Sequence, residues 1–143
     1  MKVAHLEKTH RKGEAVKEEL ALGLAELDDT HAEFLRLLED VKSADGSAFI
    51  VGFGALISHT ETHFAAEQEL MQARGFYAMQ EHIDEHESLL NEMRYFFDKA
   101  RKIPAFGRSY IDGYAFEKFR RHILNIDSQL AMFLKAQEEA THA

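Results

Sequence analysis

His63-Phe-Ala-Ala-Glu67 and His82-Ile-Asp-Glu-His86, with fourteen residues between them that include Gly75, decide how this chain is read. On a helix, side chains four apart share a face, with about 5–6 Å between their Cβ atoms. His63 and Glu67 therefore form one prong, and His82 and His86 a second. If the chain reverses at Gly75, Glu67 lies seven residues before Arg74 and His86 seven residues after Met79. At about 1.5 Å rise per residue the two prongs reach nearly the same height. Facing side chains on neighbouring helices are how a metal site is built inside a helical bundle.

The flanking segments carry the same helical period. Leu20, Leu24, Leu27, His31, Phe34, Leu35, Leu38 and Val41 recur in steps of three and four, which draws one apolar stripe. Phe49, Phe53, Leu56, Ile57, Thr60, His63, Phe64, Glu67, Leu70 and Met71 draw a second. Met79, His82, Ile83, His86, Leu89, Leu90, Met93, Phe96 and Phe97 draw a third. Tyr110, Tyr114, Phe119, His122, Ile123, Ile126, Asp127, Leu130, Phe133 and Leu134 draw a fourth. The predicted helices run from Glu19 to about Ser43, Ala48 to Arg74, Met79 to Lys102 and Tyr110 to Ala136. Gly46 reads as a left-handed C-cap with Ser47 as the next N-cap, and Gly75 as the end of the second helix. Pro104 and Gly107 read as a loop, with Ser109 as an N-cap. The expectation is an all-α protein: an up-down-up-down antiparallel four-helix bundle over residues 19–136, with an N-terminal arm (1–18) and a polar, fraying tail (137–143).

Composition narrows the chemistry. Twenty-five acidic residues against seventeen basic ones give a net charge of −8, which argues against nucleic acid as a partner. There is no cysteine, so a thiolate site, an iron–sulfur cluster and disulfides are excluded. Residues 1–20 hold no apolar run and no stretch is long enough to span a membrane, so neither a secretory leader nor a membrane partner is expected, and the expected location is cytoplasmic.

His31, His63, Glu67, His82, His86, His122 and Asp127 fall on the inward stripes of all four segments. Any one of these histidines alone is more readily a hydrogen-bonded core or surface residue. Seven such side chains on four buried stripes are not explained that way, and a glutamate on an apolar stripe is costly unless a cation accompanies it. Five imidazoles and two carboxylates would crowd one octahedral metal but serve two, and a nitrogen and oxygen donor set suits iron, manganese or zinc. One spacing is awkward. His122 and Asp127 are five apart, which on an α-helix leaves them about 140° apart around the axis.

The set resembles the hemerythrin family, in particular its single-domain bacterial members. The matching elements are an isolated His31 after Leu27-Asp28-Asp29-Thr30, the His63/Glu67 and His82/His86 pairs, and His122-Ile-Leu-Asn-Ile-Asp127. The resemblance implies two iron ions per chain in a non-haem, oxo- or hydroxo-bridged centre. It implies that Glu67 and Asp127 bridge, that His82, His86 and His122 bind one iron, and that His31 and His63 bind the other, which keeps a position open for O2. The implied activity is reversible O2 binding for storage, delivery or buffering, not enzymatic turnover. An oxygen or redox sensor acting through a separate partner, and a di-iron peroxidase or nitric-oxide-handling protein, stand as alternatives. A reductase or signalling protein is an open partner besides O2. Phe34, Phe64, Phe119 and Ile123 are candidates to line the O2 pocket, with plain core packing as the competing role for each. Three features depart from the family. Phe119 stands where a leucine is common. Lys118 stands where an aromatic residue, often Trp, precedes the fourth-helix histidine by four, so a more polar or reshaped pocket is expected. His59 extends the His63/Glu67 stripe by one turn and is an alternative ligand, a supporting group or a surface histidine.

Overall fold

The computed structural model describes residue 16 and residues 18–142, without the side chain of His142. The described chain is helical with no strand: α1 (Ala25–Ser43), α2 (Ser47–Arg74), α3 (Met79–Lys102), α4 (Pro104–Gly113), α5 (Ala115–His122), a π-helical turn (Ile123–Asp127) and α6 (Ser128–His142). α1, α2, α3 and the α5–α6 arm form the antiparallel four-helix bundle. At one end the start of α1 meets the ends of α2 and α6, where Leu24 and Leu70 pack with Met71, Phe76, Leu130 and Leu134. At the other end a larger cluster joins Val41, Phe49, Phe53, Ala100, Tyr110 and Ile111. Among the described residues, no helix is long and apolar enough to cross a membrane.

The α2–α3 reversal falls at Gly75. Its φ of 68° and ψ of 42° are left-handed, a conformation that costs glycine little. The Phe76 N–H bonds to Met71 O at 3.0 Å and the Gly75 N–H to Gln72 O at 3.4 Å, the paired bonds of a Schellman ending. This turn sets the register between the His63/Glu67 and His82/His86 prongs.

Four sequence expectations need correction. The first helix does not run unbroken from Glu19. Glu18–Leu20 are helical and Leu20 is buried, but the chain leaves the helix at Ala21–Leu24, where Gly23 has φ 81°. There the Asp28 carboxylate accepts the Leu22 and Gly23 N–H groups at 2.8 and 3.1 Å, which offers the backbone an alternative to helix. Most of the predicted arm lies outside the described residues, as do His5 and His10; Val16 packs against the core. Gly46 is the N-cap of α2 rather than the C-cap of α1, which Ala44 provides. Pro104 and Gly107 lie in a helix, not a loop. Pro104 is the first residue of α4, where its missing N–H costs nothing. The fourth arm is not one α-helix from Tyr110 to Ala136: it bends at Tyr114, passes through the π turn and runs on to His142.

α4 closes the end of the bundle. Arg108 reaches from it to the carbonyls of Val41, Lys42 and Ala44, the exposed acceptors at the end of α1, and its guanidinium lies 4.1 Å from the centre of the Phe49 ring. Gly107 sits so close to α3 that a Cβ there would fall 2.2 Å from Ala100 Cβ. Gly107→Ala is therefore expected to destabilise the fold by roughly 1–3 kcal/mol through overpacking. Gly113→Ala, where a Cβ meets nothing within 4 Å, should be neutral or slightly stabilising. Denaturant unfolding of the two variants checks the difference.

Candidate metal centre

Between the two apolar clusters lies a polar layer. Apart from Thr60, whose hydroxyl donates to Leu56 O at 2.8 Å, the buried polar side chains among the described residues are His31, His63, Glu67, His82, His86, His122 and Asp127. These are the seven that the sequence singled out. α1 presents His31, α2 presents His63 and Glu67, α3 presents His82 and His86, α5 ends on His122, and the π turn ends on Asp127.

The π turn resolves the awkward spacing of His122 and Asp127. The Ser128 N–H reaches back five residues to Ile123 O, so the turn is wider than an α turn. The fifth residue then comes round to the face of the first. His122 Nε2 lies 3.1 Å from Asp127 Oδ1. The signal was the five-residue spacing itself, since the sequence rules of helical periodicity assume an α-helix throughout.

The two carboxylates sit at the centre, and each divides its oxygens. Asp127 Oδ2 accepts from His31 Nε2 at 2.9 Å, while Oδ1 faces His82 Nε2 and His122 Nε2, both at 3.1 Å. Glu67 Oε2 lies 2.5 Å from His63 Nε2. Glu67 Oε1 accepts from His82 Nε2 at 2.8 Å and lies 3.5 Å from His86 Nε2. Two overlapping donor groups result: His82, His86 and His122 with both carboxylates, and His31 and His63 with the same two. Within each group the donor atoms lie within 4.8 Å of one another, a size able to surround a metal ion.

Electrostatics set the protonation of the cluster. Burial raises the Glu67 carboxyl, as does Asp127, but the imidazoles of His63, His82 and His86 beside it outweigh them and hold it well below the usual carboxylate range. Burial likewise raises Asp127, and His122, His31 and His82 pull it well below its ordinary value. Burial lowers His82, yet the Asp127 and Glu67 carboxylates that its Nε2 faces raise it to about 9. His86 stays lowered by burial. Two ionised carboxylates thus share a buried layer that no Lys or Arg among the described residues enters. A buried charge in that setting needs a paired cation.

The polar bookkeeping is incomplete without one. His63 Nε2, His86 Nε2, His122 Nε2, Glu67 Oε2 and Asp127 Oδ1 are buried, aimed at the centre of the layer, and lack a partner with hydrogen-bond geometry. Buried polar atoms rarely go unpaired. These five are lone-pair or imidazole donors of the kind that ligate borderline metals, so the residues present fit a metal centre.

The surrounding rings fall into two sets. Phe34 and Phe119 stack at 3.8 Å between centroids, and Phe119 meets His31 edge-on at 5.7 Å. Phe64 lies flat on His86 at 3.6 Å and is 5.7 Å from His63. Ile123 is fully buried in the larger apolar cluster. Lys118 does not make the interior polar: it is half-exposed, its Nζ 3.6 Å from Glu92 Oε2, and Phe119 takes the inward position. His59 stays outside both donor groups. Its ring is half-buried, parallel to that of His63 at 6.4 Å, with Nε2 3.4 Å from the Thr30 carbonyl. Burial lowers its pKa.

Comparison with known proteins agrees with this arrangement. A family model described as the hemerythrin HHE cation binding domain matches residues 22–134. A bacteriohemerythrin of Ralstonia nicotianae is 41% identical over 73 residues, covering 51% of this chain and 53% of that protein. The match thus spans about half the length of the curated relative. No solved structure matches the chain significantly.

Because Glu67 and Asp127 each face both donor groups, Glu67→Ala or Asp127→Ala is expected to lower the metal bound per chain. His59→Ala should leave it unchanged, since that ring faces Thr30. Elemental analysis of the purified variants separates the two outcomes.

Proposed function

This chain belongs to the hemerythrin family, and from that premise we propose that it binds O2 reversibly at a non-haem centre of two iron ions per chain. The observation that carries the reading is the division of each carboxylate: Glu67 Oε1 and Asp127 Oδ1 face the His82, His86 and His122 set, while Glu67 Oε2 faces His63 and Asp127 Oδ2 faces His31. Two metals sharing two bridging carboxylates would use every one of those atoms. His82, His86 and His122 would hold one iron, and His31 and His63 the other.

When bound, ferrous iron supplies the redox chemistry that takes up and releases O2. The chain's own residues supply the setting. The half built on His31 and His63 has one imidazole fewer, so it is the half with room for O2. The stacked Phe34 and Phe119 place an apolar wall beside His31 on that half, and a water-excluding wall protects a bound oxidant from side reactions. Phe64, flat on His86, holds that ring in place on the opposite half. Glu67 and Asp127 offset part of the charge of two divalent ions, which keeps the burial of the centre affordable.

Catalytic turnover ranks lower. Di-iron bundles that activate O2 carry paired Glu-x-x-His motifs and a Glu from each remaining helix. This cluster has the reverse balance, five imidazoles to two carboxylates. The roles expected are storage, delivery or buffering of O2.

The test pairs an iron count with a visible spectrum of protein reduced without air, exposed to O2 and then returned to vacuum. Two irons per chain, with a charge-transfer band that appears with O2 and fades on its removal, are expected. Prompt, irreversible oxidation would reject reversible carriage, and absence of bound iron would reject the centre itself.

A further inference from the structure

Histidines that bind a metal through one ring nitrogen usually donate the other N–H to a carboxylate, a carbonyl or water, which fixes the tautomer and the ring plane. In this cluster the Nδ1 atoms of His31, His82 and His122 are buried without a partner. Only beside His122 does a carboxylate lie nearby among the described residues: Glu85 Oε1 is 4.0 Å from His122 Nδ1.

Glu85 is placed to close that gap. It sits on α3, one residue before His86, and its side chain is 40% exposed, so a change of rotamer is sterically open to it. An approach of about 1 Å brings the pair within hydrogen-bond range. It stands on the rim of a surface groove of ≈ 360 Å³ that Glu92, Lys118 and Arg121 also line. Both cations of that groove are engaged elsewhere, Lys118 with Glu92 at 3.6 Å and Arg121 with Glu117 at 3.4 Å. No Lys or Arg among the described residues makes an ion pair with Glu85. Its carboxylate is left facing His122, one of the three imidazoles whose Nδ1 lacks an acceptor.

We propose that Glu85 is a positioning residue for the metal centre: its carboxylate accepts the Nδ1–H of His122, which turns the Nε2 lone pair of that ring towards the metal. This rests on the reading of the cluster as an iron site. The contact links α3 to α5, so it steadies His86 and His122, two ligands of the three-histidine half, against each other. The sequence shows the residue only as the acidic neighbour of His86, with nothing to say that it looks towards the fourth arm.

The experiment follows iron transfer from the loaded full-length chain to a colorimetric ferrous chelator, in the wild type and in Glu85→Ala, Glu85→Gln and Glu92→Gln. Loss of an outer-shell partner typically costs 10–100-fold in metal affinity. Glu85→Ala should therefore release one of the two irons roughly 10- to 100-fold faster, and the second at the wild-type rate. Glu85→Gln, which keeps an acceptor oxygen, should fall between, and Glu92→Gln on the same groove should match the wild type. The melting temperature of the metal-free protein should be the same in all four. Wild-type release from Glu85→Ala overturns the proposal, and so does a lowered metal-free melting temperature that accounts for the faster release. A wild-type chain that takes up no iron fails at the earlier step and overturns the iron reading together with this one.

Discussion

Two ionised carboxylates in an interior that no lysine or arginine among the described residues enters form the constraint on which the rest of the structure depends. Glu67 and Asp127 are each almost fully buried, and an isolated carboxylate cannot remain charged there. The chain answers by bringing five imidazoles to them from four arms of the bundle. That arrangement lowers both carboxyls and raises His82, but it leaves five inward-aimed atoms unpaired. The polar layer is therefore built for cations in addition to protons, and the family to which the chain belongs is described by cation binding.

The apolar structure exists on either side of that layer and determines its geometry. Leu56 and Ile57 precede His63 on α2, and Met71 follows Glu67; Phe119 precedes His122 on the last arm, and Leu130 follows Asp127. Each helix thus buries apolar side chains above and below its members of the polar layer, and these contacts hold the imidazoles at one height. The short reversal at Gly75 fixes α2 against α3. At the opposite end Arg108 ties α4 to the last carbonyls of α1, and the close approach of Gly107 to Ala100 seats α4 on α3.

The last arm shows what the site costs its scaffold. A regular α-helix would hold His122 and Asp127 on different faces. The π turn between them gives up the better geometry of the α-helix, a trade seen frequently at functional sites. Its return is an Asp127 that reaches both halves of the cluster. The partnerless Nδ1 atoms of His31 and His82 belong to the same compromise, because these rings turn Nε2 to the two carboxylates at the expense of complete hydrogen bonding.

Much of this was legible in the residues before any coordinates. The 3.6-residue period drew four amphipathic stripes, and the i,i+4 pairs placed His63 with Glu67 and His82 with His86, because both rules depend only on local helix geometry. Gly75 marked its turn for the same local reason. What local rules could not reach was decided by tertiary contact. Asp28 draws the Leu22 and Gly23 N–H groups out of the first helix, a choice invisible to apolar periodicity. Pro104 and Gly107 read as loop residues, yet packing against Ala100 and the end of α1 makes their segment a helix. The π turn, the flat seating of Phe64 on His86, the outward course of Lys118 and the approach of Glu85 to His122 all depend on neighbours distant in sequence. The sequence by itself determined which side chains share a helical face, since a helix has one period. Only the tertiary structure decided how those faces meet, since that depends on packing between segments that no single period describes.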